Sequence, residues 1–140
     1  MIVNNQHSET GESTEAAELR TLLFQAARSV RRSWMQQLEP WGLTPFQWRA
    51  LRALWVNDGT MRPGEIAEHL RIAPRSATEV IDLLEGKGLV QRGKDPDDRR
   101  ATRVALTIKG RGVAEEVLAE RDQHSQRFFA PLTKEEQDHL

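Results

Sequence analysis

The sequence predicts a mainly α-helical fold with one small β-hairpin, an α+β class in which helices dominate. Apolar residues recur at helical spacing over most of the 140 residues. Two short helical patterns, joined by the tight turn Arg71-Ile72-Ala73, come shortly before a segment of alternating polarity. That segment, Asp95–Thr107, opens with a cluster of acidic and basic residues. Two helices joined by a turn and followed by a charged hairpin predict a winged helix-turn-helix.

Length and composition predict one domain and exclude several kinds of site. A chain of 140 residues can bury a core without disulfide or metal staples. Cysteine is absent, which excludes thiolate metal sites, disulfide bonds and cysteine-based redox sensing. The first residues show no export signal, and no apolar run approaches the ~20 residues that span a bilayer. We therefore expect a cytoplasmic protein that does not contact membranes.

The charge of the chain is unevenly distributed, although its net value is only −1. Residues 44–109 hold 12 Lys and Arg against 9 Asp and Glu, a local net charge of +3. Residues 1–43 have a net charge of −1 and residues 110–140 one of −3. The basic excess lies on the segment with the two short helices and the hairpin, which permits a polyanionic partner there.

The N-terminal part predicts a polar tail and one long helix. Residues 1–14 are rich in Ser, Thr, Asn and Glu, so we expect them to be disordered. From Glu15 to Leu38 apolar residues recur at the spacing of one helix face. Pro40 and Gly42 end this helix, giving a segment that spans residues 15–42.

Three further helices are predicted in the middle of the chain. Thr44 and Gln47 form a capping-box pair, and Pro45 suits the first helical position. This helix runs to about Val56, before Asn57-Asp58-Gly59. The next helix begins near Pro63, and the one after it spans Pro74 to about Gly86, so that turn chemistry separates all three.

The hairpin consists of two predicted strands and a projecting connection. Leu89–Arg92 and Thr102–Leu106 read as strands, and Gly93–Ala101 is longer than a tight hairpin needs. Thr107 and Gly110 predict a break, so we expect the next helix to begin at about Val113 and to reach about Phe129. Thr133 with Glu136 makes a second capping box, which predicts a short last helix.

Four segments carry a resemblance to a known family: LTPFQWRALRAL (43–54), PGEIAEHL (63–70), LEGKGLVQR (84–92) and DPDDRRATRVALTIKG (95–110). In this order and spacing they resemble the multiple antibiotic resistance regulator (MarR) family of bacterial transcription factors, over roughly residues 15–140. The resemblance implies a dimer in which residues 15–42 and 110–140 interlock two subunits and residues 43–109 bind DNA. It also implies repression of nearby genes, relieved by a small phenolic or lipophilic ligand.

The chain departs from the family pattern at three places. Arg62 stands before Pro63 where relatives often have Thr or Ser, and Pro74 stands where many have Ser. The last helix is shorter than relatives usually carry. Composition excludes the branch of the family that senses oxidants through cysteine.

The fourth predicted helix, 74–86, would read DNA bases in the major groove with its first turns. Ala77, Ile81 and Leu84 fall on one stripe that faces the core, with Val80 beside it. Near its amino end Arg75, Ser76 and Glu79 face outward, with Thr78 at the flank. Arg75 suits a bidentate pair with guanine, and Glu79 can accept from cytosine. Ser76 and Thr78 suit phosphate or adaptable contacts. The alternative is an ordinary solvated surface.

The hairpin would act as a wing. By resemblance, Asp98 and Arg100 match the family's Asp-x-Arg pair, in which the arginine enters the minor groove and the aspartate holds it extended. A guanidinium stays charged and is drawn to narrow, A·T-rich grooves. The other basic residues, expected to meet phosphates, are Arg92, Lys94, Arg99 and Arg103. A salt-bridged turn without any ligand is the alternative.

Four tryptophans stand seven residues apart, at positions 34, 41, 48 and 55. In the family, small molecules bind near the junction of the first helices with the DNA-binding lobe, and aromatic walls suit a phenolic or planar ligand. We therefore predict an aromatic or phenolic effector. Its candidate contacts are Arg28, Arg31, Trp34, Trp48 and Trp55. Packing in the core or the dimer is the alternative.

Other kinds of function find little support in the sequence. The four histidines lack the spacing of a zinc site, and we predict neither a metal nor a cofactor. No nucleophile elbow or phosphate-cradling glycine loop is present, so we predict no enzymatic activity. Two rivals remain, a ligand-independent winged-helix regulator and a winged-helix module that binds protein. The second would show apolar residues on the exposed face of the fourth helix.

Overall fold

The computed structural model describes residues 7–139, and their side chains from residue 13 onward. The elements in chain order are α1 (His7–Leu38), a 3-10 turn (Glu39–Trp41), α2 (Pro45–Val56), β1 (Thr60–Met61), α3 (Pro63–Leu70), α4 (Pro74–Gly86), β2 (Val90–Lys94), β3 (Thr102–Leu106), α5 (Ile108–Phe129) and α6 (Lys134–Asp138). The predicted class, helices with a small β wing, is confirmed. Across residues 7–139, every helix is too short or too polar to cross a bilayer.

The chain divides into two compact units, of which the first ends at Gln36 and is helical from His7. This start lies eight residues before the predicted one, so residues 7–14 of the expected disordered tail are helical, and residues 1–6 lie outside the description. Apolar periodicity begins only at Leu19, but an existing helix extends by one hydrogen bond per residue fixed. Within this unit the large apolar side chains are solvent-exposed: Leu19, Leu22, Leu23, Phe24, Val30 and Met35.

The second unit, from Gln37 onward, contains the hydrophobic core of the winged lobe. Helices α3 and α4 pack against each other, and α2 packs against both and against α5. The fully buried side chains of this core include Leu51, Leu54, Ile66, Ile81, Leu84, Val104 and Val117. Each such side chain contributes roughly 1.5–3 kcal/mol by leaving water, so the apolar stripe of α4 fixes that helix on the lobe.

The sheet has three antiparallel strands in the order β1-β3-β2. β3 has the predicted bounds, whereas β2 is shifted from the predicted Leu89–Arg92 to Val90–Lys94. β1 was not predicted, because two residues are too few to show a period of two. In the β2–β3 ladder Val90 lies opposite Leu106 and Lys94 opposite Thr102, so the hairpin stays paired up to the loop 95–101.

Helix α5 begins at Ile108, five residues before the predicted start at about Val113, so there is no break at Thr107 and Gly110. Thr107 is its N-cap, with the hydroxyl oxygen accepting from the N–H of Gly110 at 2.9 Å. Gly110 lies in the first turn because α5 crosses the backbone of Leu89 closely there. A Cβ at Gly110 would lie 1.9 Å from the carbonyl oxygen of Leu89. The glycine therefore marks a close packing contact and not a helix break.

Candidate nucleic-acid interface

Helix α4 presents one buried and one exposed face, as its sequence predicts. Ala77, Ile81 and Leu84 are buried, whereas the exposed side chains of its amino-terminal half are Arg75, Ser76, Thr78 and Glu79. Ala73 at the N-cap offers no side-chain acceptor, so the first-turn N–H groups have no cap from that side chain. Unsatisfied N–H groups at a helix start favour anions. This end of α4 can therefore donate hydrogen bonds to a phosphate.

The polar side chains in the amino-terminal half of α4 are only weakly engaged within the protein. Arg75 Nε lies 3.9 Å from Glu79 Oε1, and the two side chains are 94% and 70% exposed. An exposed pair of this kind contributes little to stability, so both groups are available to a ligand. The hydroxyl of Thr78 donates to the carbonyl of Pro74 at 3.0 Å, which directs it toward its own helix.

Arg92, one of the predicted phosphate contacts, ties strand β2 to α4. Its guanidinium lies 2.6 Å from Asp82 and 3.1 Å from Glu85, and its backbone N–H donates to Glu85 at 2.8 Å. The side chain is half-buried. These two carboxylates neutralise the cation, so its main contribution in this structure is to hold the hairpin on the helix.

Lys87, the C-cap residue of α4, connects the same end of that helix to the start of α2. The ammonium of Lys87 donates to the carbonyl of Gly42 and to Oε1 of the buried Gln47, the latter at 2.9 Å. The amide of Gln47 also completes the predicted capping box with Thr44, which is confirmed. The carboxy-terminal half of α4 is thus connected to β2 and to the start of α2 by polar contacts.

The loop 95–101 at the tip of the hairpin carries the predicted wing residues. The carboxylate of Asp98 accepts from the backbone N–H of Arg100 at 3.0 Å, and its carbonyl accepts from Ala101 N–H at 3.0 Å. Asp98 thus shapes the backbone before Arg100. Lys94, Arg99 and Arg100 are exposed. Among the described side chains, no carboxylate forms an ion pair with any of these three cations, which leaves them available to a polyanion.

At the base of this loop lies a cluster that we call the wing neck, formed by Thr60, Arg62, Asp95 and Arg103. Asp95 Oδ2 lies 2.8 Å from Arg62 Nε and 3.4 Å from Arg103 Nη1, while Oδ1 accepts from Asp97 N–H at 2.9 Å. Arg103 Nε also donates to Thr60 Oγ1 at 2.8 Å. Arg103, a predicted phosphate contact, therefore joins β3 to β1 and to Asp95.

The wing neck is electrostatically satisfied around a buried carboxylate. The side chain of Asp95 is 0% exposed. The Asp97 N–H, and after it the Arg62 guanidinium, hold the pKa of Asp95 below its usual value. The same hydrogen bond to Asp95 raises the pKa of Arg62. Both groups are accordingly charged at neutral pH, as a buried carboxylate must be paired to remain ionised.

Arg62 and Asp95 were not among the predicted site residues. Arg62 is the N-cap residue of α3, but an arginine has no acceptor for a helix N–H. Only its backbone takes part in capping, by donating to Glu65 Oε2 at 2.7 Å. The one signal in the sequence was an arginine directly before Pro63, at a cap position that favours an acceptor side chain. Nothing local indicates its partner 33 residues later.

The predicted effector contacts are divided between the two units. Arg28, Arg31 and Trp34 belong to the first unit, where both arginines are exposed and Trp34 is half-buried. In the second unit Trp48 is fully buried and Trp55 is half-buried. The indole N–H of Trp48 has no hydrogen-bond partner among the described residues. Trp48 is therefore a core residue here, and the effector role of all five stays a prediction.

Two open clefts lie on the second unit. One, of about 510 Å³, runs over the exposed face of the sheet beside Thr60, Gln91, Lys94 and Arg103. The other, of about 480 Å³, lies between α2 and α5 and includes Arg52 and Arg121. Burial, and secondarily Arg52, lowers the pKa of Arg121. Neither cleft is lined by a predicted effector contact. Within the described part of the chain, no group of three or more His, Asp or Glu side chains is arranged to hold a metal ion.

Comparison with known proteins identifies the family. The model of the MarR family matches residues 43–102. The chain is 35% identical over 114 residues to the HTH-type transcriptional repressor MdtR of Bacillus subtilis, covering 81% of this chain and 71% of MdtR. The crystal structure of YusO from Bacillus subtilis superposes with a TM-score of 0.76 at 29% identity, covering 91% of this chain and 89% of YusO.

A second solved structure is that of a MepR-like protein complexed with pseudoligands. It is 31% identical, has a TM-score of 0.65, and covers 89% of this chain and 87% of its own. The sequence match to MdtR, the family model and the shared winged fold agree with one another and with the exposed polar helix and wing. The chain belongs to the MarR family of DNA-binding transcriptional regulators.

Proposed function

We propose that the protein is a repressor that binds a pseudo-palindromic operator as a homodimer, with α4 in the major groove and the wing in the adjoining minor groove. The observation that carries the proposal is the pairing of two exposed polar surfaces on one lobe. The amino-terminal half of α4 exposes Arg75, Ser76 and Glu79 to solvent. The wing tip exposes Arg99 and Arg100, which form no ion pair with a carboxylate of the described side chains. A relative, MdtR, is a repressor.

In this proposal the contacts of each residue differ in kind. Arg75 and Glu79 would contact base edges, and Arg100 the minor groove, while Lys94, Arg99 and Ser76 would meet phosphates. Thr78, Arg92, Asp98 and Arg103 would act mainly by shaping the interface, because each is engaged with protein groups. Their own contacts with DNA stay predictions.

A homodimer would cover apolar surface that each unit leaves in water. In the first unit the exposed residues of α1 include Leu19, Leu22, Leu23 and Phe24. In the second unit Phe128 and Phe129, at the end of α5, and Leu132 are exposed. Apolar surface of this extent on a small protein marks an interaction site. A second copy of the chain would cover this surface in the two-fold symmetric dimer that a pseudo-palindromic operator requires.

We further propose that a small aromatic or phenolic effector releases the operator. The support is a relative, the MepR-like protein, whose structure is complexed with pseudoligands. The candidate contacts remain Arg28, Arg31, Trp34, Trp48 and Trp55. A regulator that needs no ligand is the alternative, and tryptophan fluorescence during titration with phenols and aromatic acids separates the two, because a bound phenol changes the emission of an adjacent indole.

Selection of bound duplexes from random DNA tests the function directly. We expect an inverted repeat whose half-sites lie about one helical turn, ~10 base pairs, apart. Sedimentation of the complex should give two chains per duplex. A selected consensus with one unrepeated half-site, or a complex with one chain, would contradict the homodimer. No enrichment at low salt would contradict sequence-specific DNA binding itself.

A further inference from the structure

Arg62 makes two polar contacts within the protein, one through its backbone and one through its side chain. Its backbone N–H is fixed to Glu65 on the first turn of α3, at 2.7 Å. Its guanidinium donates to the carboxylate of Asp95, the first residue after β2, at 2.8 Å. Because α3 packs directly against α4, Arg62 connects the helix pair that would read bases with the base of the wing.

Asp95 is equally attached to the wing loop. Its backbone N–H donates to the carbonyl of Ala101 at 3.0 Å, which closes the loop 95–101. Its carboxylate accepts from Asp97 N–H inside the loop and from Arg103 on β3. A displacement of Asp95 would therefore move the backbone that carries Arg99 and Arg100. The buried carboxylate thus contacts Arg62 at the start of α3 as well as the wing loop and β3.

We propose that Arg62 is a positioning residue for DNA binding, which fixes the direction of the wing relative to α4 by holding Asp95. This inference rests on the proposed function, since it concerns the wing that would enter the minor groove. Arg62 replaces the side-chain cap that Thr or Ser would give to α3 with a contact that only a long cation can make. The chain thereby exchanges local helix stability for a defined wing direction.

The obvious rival is that Arg62 contacts a phosphate itself, since its side chain is 45% exposed. Two substitutions separate the roles. Asp95→Asn leaves every cation in place and removes a negative charge near the DNA, so simple electrostatics predicts tighter binding. Arg62→Thr removes the contact between α3 and Asp95 but gives α3 a side-chain acceptor, which favours the helix. Asp95 keeps Arg103 and the Asp97 N–H as partners, which favours retention of the fold.

The experiment uses the duplex selected from random DNA by the unaltered protein. Hydroxyl-radical footprinting reports the flanking minor grooves, and methylation protection of guanine reports the major-groove contacts of α4. For Arg62→Thr and Asp95→Asn we expect about tenfold weaker binding, loss of the flanking protection and a salt slope lower by about one, with guanine protection retained. Arg62→Thr should melt at a somewhat lower temperature, because Asp95 loses one partner, but it should still unfold in one cooperative transition well above the temperature of the binding assay. Arg62→Lys should recover part of both binding and flanking protection.

Two controls make each outcome decisive. Arg52→Ala on α2 removes one exposed cation outside the wing neck and should leave affinity within about twofold. Arg100→Ala removes the proposed minor-groove contact itself. If Arg100→Ala loses the flanking protection but Arg62→Thr and Asp95→Asn keep it, the positioning role is wrong and the proposed function stands. If Arg100→Ala keeps the protection, the wing assignment fails. Tighter binding by Asp95→Asn overturns the positioning role.

Discussion

Helix α4 and the wing loop differ in what mainly holds them in place, although Arg92 and Lys87 add polar contacts to α4. α4 lies on the lobe through the buried side chains of Ala77, Ile81 and Leu84. The wing loop is anchored instead by hydrogen bonds and ion pairs around one buried carboxylate, that of Asp95. Apolar burial is non-directional and tolerates small shifts, whereas these polar contacts depend on direction and charge. Loss of a single polar contact should therefore leave the position of α4 unchanged but should alter the direction of the wing.

The largest expected effect tests the apolar side of this comparison. Leu84→Ala deletes a side chain with 0% exposure, and a large-to-small change at such a site costs about 2–5 kcal/mol of unfolding free energy. Leu83→Ala is the matched control, because Leu83 is the adjacent residue on the same helix and is 54% exposed. A surface substitution of this kind changes the free energy of unfolding by no more than about 0.5 kcal/mol. Urea unfolding measures both. Equal costs would mean that α4 is not held by its apolar stripe.

The same contrast decides what could be predicted from the sequence. The faces of α4 and the capping boxes at Thr44 and Thr133 follow from residues within a few positions of each other, and they were predicted correctly. The wing neck joins Arg62 to Asp95 across 33 residues, and β1 is two residues long, so neither leaves a local pattern. The prediction of a helix break at Gly110 was wrong, because a glycine is needed there for the close contact of α5 with the backbone of Leu89. Helices and their caps can be predicted from residues close together in the sequence, whereas polar contacts between distant residues can be identified only once the fold is known.

The next effect sharpens the comparison on the helix side. Arg75→Ala should weaken operator binding by about 1–3 kcal/mol and relax the preference at one base position, if the side chain makes a bidentate pair with guanine. Stability should change by less than about 0.5 kcal/mol, because the Arg75–Glu79 pair is exposed and contributes little. Competition binding against single-base operator variants measures the preference. A uniform loss across all variants would make Arg75 a phosphate contact.

On the wing side two adjacent arginines should differ. Arg100→Ala should lower affinity about tenfold and remove any A·T preference in the flanking minor groove, since a narrow groove attracts an inserted guanidinium. Arg99→Ala should act nearly equally on all duplexes and lower the salt slope by about one. Binding isotherms at several salt concentrations, on duplexes with A·T or G·C flanks, compare them. Unchanged affinity for Arg100→Ala would remove the wing from the interface.

The smallest expected effect is a pH dependence confined to the wing neck. The pKa of Asp95 is lowered in the folded chain, first by the Asp97 N–H and then by Arg62, whereas the unfolded value is about 3.9. A depressed folded pKa contributes stability that is present above about pH 4 and is lost as the pH falls through the folded pKa.

Comparing Asp95→Asn with the unaltered protein isolates this term. Asparagine cannot titrate, so the difference in unfolding free energy between the two proteins should shrink as the pH falls below about 4. Urea unfolding at intervals between about pH 5 and pH 2.5 measures it, and Asp97→Asn controls for the loss of one negative charge from the loop. A difference that stays constant over this range would mean that the Asp95 carboxylate gains nothing from its partners, and the wing would then be held by its strand pairing and by the contacts of Arg92 with α4.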